Sequence, residues 1–152
     1  MFVKLFTKFL NFFILVVQMV KVNKNRINVL NDTEPDIESG EYVLYWVLMY
    51  RRTRYNHALQ RAIEWANELE KPLLVFEPLQ LKYEWASDRF QQFIIESMKD
   101  SYDAYSKSKA GYFPFVETAE GELNGLLESL ASKASVVISD DYPAYFIPQM
   151  AA

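Results

Sequence analysis

Three arginines stand within four residues at Arg51, Arg52 and Arg54, and Asn56 follows two residues later. Carboxylates recur further along the chain at Glu77, Glu117, Asp140 and Asp141. Guanidinium groups present a planar fork of donors that matches carboxylate and phosphate geometry. Such a set suits the capture of an anionic or planar ligand, or the docking of another domain, better than bond-making. The competing reading is a group of surface ion pairs and helix-terminal charges, each contributing about 1 kcal/mol or less. The chain contains one histidine, His57, and no cysteine. Disulfides, thiolate metal sites and cysteine nucleophiles are thereby excluded, and a histidine zinc site or a Ser/His/Asp triad is disfavoured. His57 reads as a first-turn or capping residue rather than a base. The lack of cysteine also fits a cytoplasmic location.

These side chains need elements to place them, and the hydrophobic pattern supplies a regular alternation. The run "EYVLYWVLM" at 41–49 is strand-length and uniformly apolar, which predicts a central strand buried on both faces. Ala58, Leu59, Ala62, Ile63, Ala66 and Leu69 then form a helical stripe, with Asn56 or Thr53 as its cap. "KPLLVFEP" at 71–78 predicts a second strand. Ser87 caps a helix whose inner face is expected to include Phe90, Phe93, Ile94, Met98, Ser101, Tyr102 and Tyr105. "AGYFPFVE" at 110–117 predicts a third strand, placed at an edge by Pro114. Leu123, Leu126, Leu127 and Leu130 give a short helix, and "ASVVISDD" at 134–141 a fourth strand. The order predicts an α/β domain, doubly wound and Rossmann-like, whose mostly parallel sheet of at least four strands carries helices on both faces. Ligands of such sheets bind outside the carboxyl ends of the strands. Arg51 to Asn56, Glu77, Glu117, Asp140 and Asp141 all fall in those loops. With only four glycines, the chain has neither a G-x-G-x-x-G turn nor a P-loop, which excludes a standard NAD or ATP site.

Length and composition agree with one domain. The 152 residues are 51% hydrophobic and 16% aromatic. Five of the 16 basic residues lie in residues 1–26, which hold no acid, so the rest carries 11 basic against 20 acidic residues, a net charge of −9. An acidic body is a poor general binder of nucleic acid, and "RRTR" alone is a weak footprint. Residues 1–25 read as a basic and apolar extension, and 26–152 as the α/β domain. Three readings of the extension stand: a membrane-surface or signal-anchor segment, an extra terminal element, or a stretch upstream of a true start at Met19. No A-x-A-like cleavage site follows, and the apolar patch falls short of the roughly 20 residues of a membrane span. The last reading is favoured because Met19 is followed by "VKVNKNRINVLND", which reads as an ordinary polar soluble amino terminus.

The stretch "YWVLMYRRTRYNHAL" at 45–59 resembles the first strand, loop and helix start of the photolyase and cryptochrome family, with Trp46, Arg52, Asn56, Ala58 and Leu59 at matching positions. "PLLVFEPL" is similar to that family's second strand, "WASDRFQQFIIESM" at 85–98 to its R-x-x-F helix, and "VVISDDYPAYFIPQM" at 136–150 to its fourth strand and acidic loop. The likeness is nearest to the class II cyclobutane pyrimidine dimer photolyases and covers about residues 26–150. Met49, Tyr50 and Tyr55 depart from it, where the family typically has Arg-Asp and Asp.

The resemblance implies that the chain is the amino-terminal, antenna-type domain of a deoxyribodipyrimidine photo-lyase, a light-driven DNA-repair enzyme. It implies a helical FAD-binding domain as partner, in the same chain or separately encoded, with DNA contacted only through that domain. It also implies an antenna chromophore, a deazaflavin or a folate, for which Arg52, Asn56, Glu77, Asp140 and Asp141 supply anchors and Tyr50 and Phe76 a wall. No catalytic residue or metal ligand is expected in this chain. Trp65 and Trp85 read as packing residues rather than an electron-transfer path. A stand-alone binding module and a non-functional remnant are the alternatives.

Overall fold

A computed structural model describes residues 21–31, 33–82 and 86–142. The expectations that fall on residues 1–20, on Trp85 and on 143–150 lie outside these. After a short 3-10 turn at Lys24–Arg26 come β1 (Tyr42–Trp46), α1 (His57–Glu68), β2 (Leu73–Leu79), α2 (Asp88–Tyr105), β3 (Gly111–Val116), α3 (Leu126–Ala131) and β4 (Ala134–Ser139). The four strands form one sheet in the order β3-β2-β1-β4. Every pairing is parallel, with Tyr45 level with Val75 on one side and Ile138 on the other.

The β1 run earns its central place because both faces are sealed: Val43, Leu44 and Tyr45 are fully buried. Its odd-numbered residues Val43 and Tyr45, with Val47 just past its end, meet Leu59 and Ala62 of α1 and Tyr105 of α2 in one apolar cluster. The first two crossovers therefore lie on the same face. The third connection returns across the sheet, and a right-handed crossover then puts α3 on the opposite face. There Tyr42, an even-numbered β1 residue, donates its hydroxyl to the Leu130 carbonyl of α3 at 2.7 Å. This is the doubly wound arrangement, with the order reversing between β1 and β4.

Pro114 lies on β3, an edge strand, where its missing N–H costs no inner ladder bond. Both caps form as expected: Asn56 accepts from Leu59 N at 3.0 Å and Ser87 from Phe90 N at 3.3 Å. The inner face of α2 is narrower than its composition suggests. Ile94, Met98, Ser101 and Tyr105 are buried, whereas Phe90, Phe93 and Tyr102 are exposed. The reason is location, since α2 packs over β2 and the edge strand β3, with no further strand among the described residues to cover its flank.

Packing also extends upstream of residue 26. Val22 is buried and its amide donates to Glu64 of α1 at 2.7 Å, while Lys21 pairs with Glu68 at 2.9 Å. Among the described residues, no helix is long and apolar enough to cross a membrane.

Candidate functional site

The β1 chain leaves the sheet just after Val47, whose amide still donates to the Phe76 carbonyl at 2.9 Å. The next three amides have no neighbouring strand to bond. They turn inward to a single oxygen instead: Asp140 Oδ2 accepts from Leu48, Met49 and Tyr50 N at 3.1, 3.0 and 3.0 Å. Register explains the meeting, because Ser139 pairs with Trp46 and the following residue on β4 falls beside the start of the β1 loop. The other carboxylate oxygen accepts from the Tyr45 hydroxyl at 2.8 Å. That hydroxyl accepts in turn from the Asn56 side-chain amide at 2.8 Å, which also donates to the Tyr50 and Arg52 carbonyls. Asp140 and Asn56 are both buried, so they tie the loop, the helix start and the end of β4 into one unit.

Burial, and next the Asp140 charge, raise the Tyr45 hydroxyl far above the usual tyrosine range. A neutral phenol can donate to the carboxylate, and a phenolate there would face a like charge. Tyr45 is therefore a fixed donor at working pH. The strand sequence hints at this role, since a buried tyrosine in an apolar strand must find a partner for its hydroxyl.

Beside this unit lies a buried ion pair. Arg51 donates to Glu77 Oε1 at 2.9 Å and to the Pro78 carbonyl at 2.9 Å. Glu77 is 1% exposed, and its second oxygen accepts from the Tyr112 hydroxyl at 2.6 Å. Burial is the first cause that raises the Tyr112 ionisation, and the hydrogen bond to Glu77 the second. The third strand end has the same design: Glu117 accepts from Leu81 N at 2.7 Å and Gly121 N at 2.8 Å. The bond from Leu81, the largest effect, holds its carboxyl below the ordinary value of 4.5 against a smaller opposing effect of burial.

The seven residues singled out from the sequence are thus distributed unevenly. Asn56, Glu77 and Asp140 direct their polar atoms into loop-holding bonds. Phe76 is 1% exposed and packs on Phe113 with ring centres 5.5 Å apart, inside the sheet rather than along an open wall. Tyr50, Arg52 and Asp141 stay at the surface. The Arg52 guanidinium lies 5.2 Å from the centre of the Tyr50 ring, and Tyr142 meets that ring edge-on at 6.4 Å.

Next to them is an open depression of about 320 Å³, formed by the loop from Arg51 to Arg54 and by Ser97, Asp100 and Ser101 of α2. Its volume is at the lower end of small-molecule sites. The α2 residues were not legible as site residues, because nothing in the sequence says which turn of α2 faces the loop. Among the described residues, no group of three or more His, Cys, Asp or Glu could hold a metal ion. This arrangement can bind and orient a ligand.

No protein-family model matches the chain. A curated deoxyribodipyrimidine photo-lyase of Methanothermobacter thermautotrophicus (strain Delta H) is 43% identical over 79 residues, covering 52% of this chain and 18% of the relative. The chain therefore spans under a fifth of that relative's length in the match. The similarity supports a relationship to the photolyase family.

Proposed function

We propose that this chain is the amino-terminal α/β domain of a photolyase of the class II type, supporting an FAD-binding helical domain in light-driven repair of pyrimidine dimers. The observation that carries the reading is the 79-residue, 43% identical match to a protein named deoxyribodipyrimidine photo-lyase. The doubly wound parallel sheet is consistent with it. In this reading FAD, DNA and the lesion are held by the helical domain. The sequence has no glycine-rich phosphate turn of the kind that holds a dinucleotide, so no step of the repair chemistry is assigned to these residues.

An antenna chromophore is a separate part of the proposal. The crevice between β1 and β4 is a poor place for it, since Asp140 occupies the loop amides there. The depression beside Tyr50 and Arg52 suits it better. Its volume of about 320 Å³ fits one fused ring system, such as a deazaflavin or a pterin. Arg52 and Arg54 line it and would meet an anionic tail, and Tyr50 stands beside it with its ring 5.2 Å from the Arg52 guanidinium.

The test is a chimera in which residues of this chain replace the matched segment of the Methanothermobacter protein. Light-dependent loss of pyrimidine dimers from irradiated DNA is expected. A folded, FAD-loaded chimera without repair would sink the reading. For the antenna, the purified chain is incubated with a deazaflavin or a folate, and the bound chromophore is read by absorbance and quenched fluorescence. Binding that Tyr50→Ala and Arg52→Ala leave unchanged would exclude this location.

A further inference from the structure

We propose that the switch point between β1 and β4 is a receptor for a carboxylate, filled by the chain's own Asp140, and that a free small carboxylate takes the same place once that side chain is removed. Three consecutive amides, Leu48, Met49 and Tyr50, converge on one oxygen within 3.1 Å. Successive N–H groups that face one point make an anion-binding concavity without any cationic side chain. The Tyr45 hydroxyl adds a fourth donor at 2.8 Å. Its direction is fixed, because Asn56 already donates to the Tyr45 oxygen and leaves that proton pointing at the carboxylate.

Part of the receptor's shape is held by bonds other than those of Asp140. Asn56 holds the Tyr50 and Arg52 carbonyls, and Arg51 is anchored to Glu77 and Pro78. These bonds brace the carboxyl-terminal end of the amide run, and the Val47 amide, bonded to the Phe76 carbonyl at 2.9 Å, holds the other. The position is also where doubly wound sheets receive anionic ligands. Asp140 is 2% exposed and covalently tethered, so its effective concentration far exceeds that of any free anion. An external carboxylate therefore finds the site closed in the native chain. The inference is independent of any photolyase role.

The experiment compares the full chain with Asp140→Ala in sodium formate and in sodium chloride at equal ionic strength. Formate is the probe because it carries the carboxylate with no added methylene. The variant is expected to melt lower than the parent and to recover saturably in formate. At about ten times the dissociation constant, its folded-to-unfolded ratio rises roughly elevenfold over chloride. The amide resonances of residues 48–50 should shift with formate in the variant and stay still in the parent. If the variant is unfolded in plain buffer, formate-dependent recovery of its circular dichroism is expected. The proposal is overturned by a variant that responds alike to formate and chloride, folded or not. A parent chain whose residues 48–50 respond to formate as the variant's do would overturn it too.

Discussion

Arg51 and Arg52 are neighbours of one type, and the structure gives them opposite environments. Arg51→Ala removes a 2.9 Å ion pair whose partners are 19% and 2% exposed at the side chain, together with the bond to the Pro78 carbonyl. What remains is a buried Glu77 carboxylate that keeps the Tyr112 hydroxyl as a donor. Breaking a buried pair on one side costs about 3–5 kcal/mol. The retained Tyr112 bond and the partial access to Arg51 favour the lower end, about 3 kcal/mol. For a domain of this size that corresponds to roughly 10 °C in Tm. Arg52→Ala removes an exposed cation–π contact of about 0.5–1 kcal/mol. Urea denaturation of both variants, followed by circular dichroism, reads the difference directly. The double variant Arg51→Met with Glu77→Gln should recover most of the loss, because no uncompensated charge is left buried. Equal losses for Arg51→Ala and Arg52→Ala, or a double variant worse than either single, would refute the reasoning.

Asn56→Ala loses the cap bond to Leu59 N and the two amide hydrogens shared among three acceptors, so a loss of about 2 kcal/mol is expected by urea denaturation, at the upper end for a cap. An unchanged midpoint would show that the loop is braced from elsewhere. The Glu117 carboxyl is lowered by the Leu81 amide, so its stabilisation is present above pH 4.5 and fades as pH falls through the folded value. Glu117→Gln should accordingly flatten the acid limb of a stability-against-pH curve, and a parallel curve would contradict the assignment. Tyr45, Tyr105 and Tyr112 are all raised first by burial, which stabilises the fold below pH 10 and loses that effect as pH rises further. In an alkaline titration at about 295 nm, Tyr45, Tyr105 and Tyr112 should ionise only with unfolding. A single smooth ionisation in the folded state would rule this out.

Much of the fold could be read from one strand or helix at a time. The uniform apolar run of β1 required two covered faces, the residue Pro114 required an edge, and Asn56 and Ser87 marked their helix starts. Helix faces were less legible. Phe90, Phe93 and Tyr102 have the composition of a core, yet the width of an inner face depends on how much sheet lies beneath it, and α2 sits over an edge.

The site divides in the same way. The alternation of strands and helices placed Arg51 to Asn56, Glu77, Glu117 and Asp140 at one end of the sheet, because successive strands of a parallel sheet end on the same side. Which of these groups face inward was decided only by tertiary structure. Asp140 meets Leu48 to Tyr50 across about 90 residues of chain through the β1–β4 register, and Arg51 rather than Arg52 meets Glu77 through the turn of the loop. A sequence fixes the period of its own elements through local backbone geometry. It does not display the register between distant strands, and a hydrogen bond depends on position to within a fraction of an ångström.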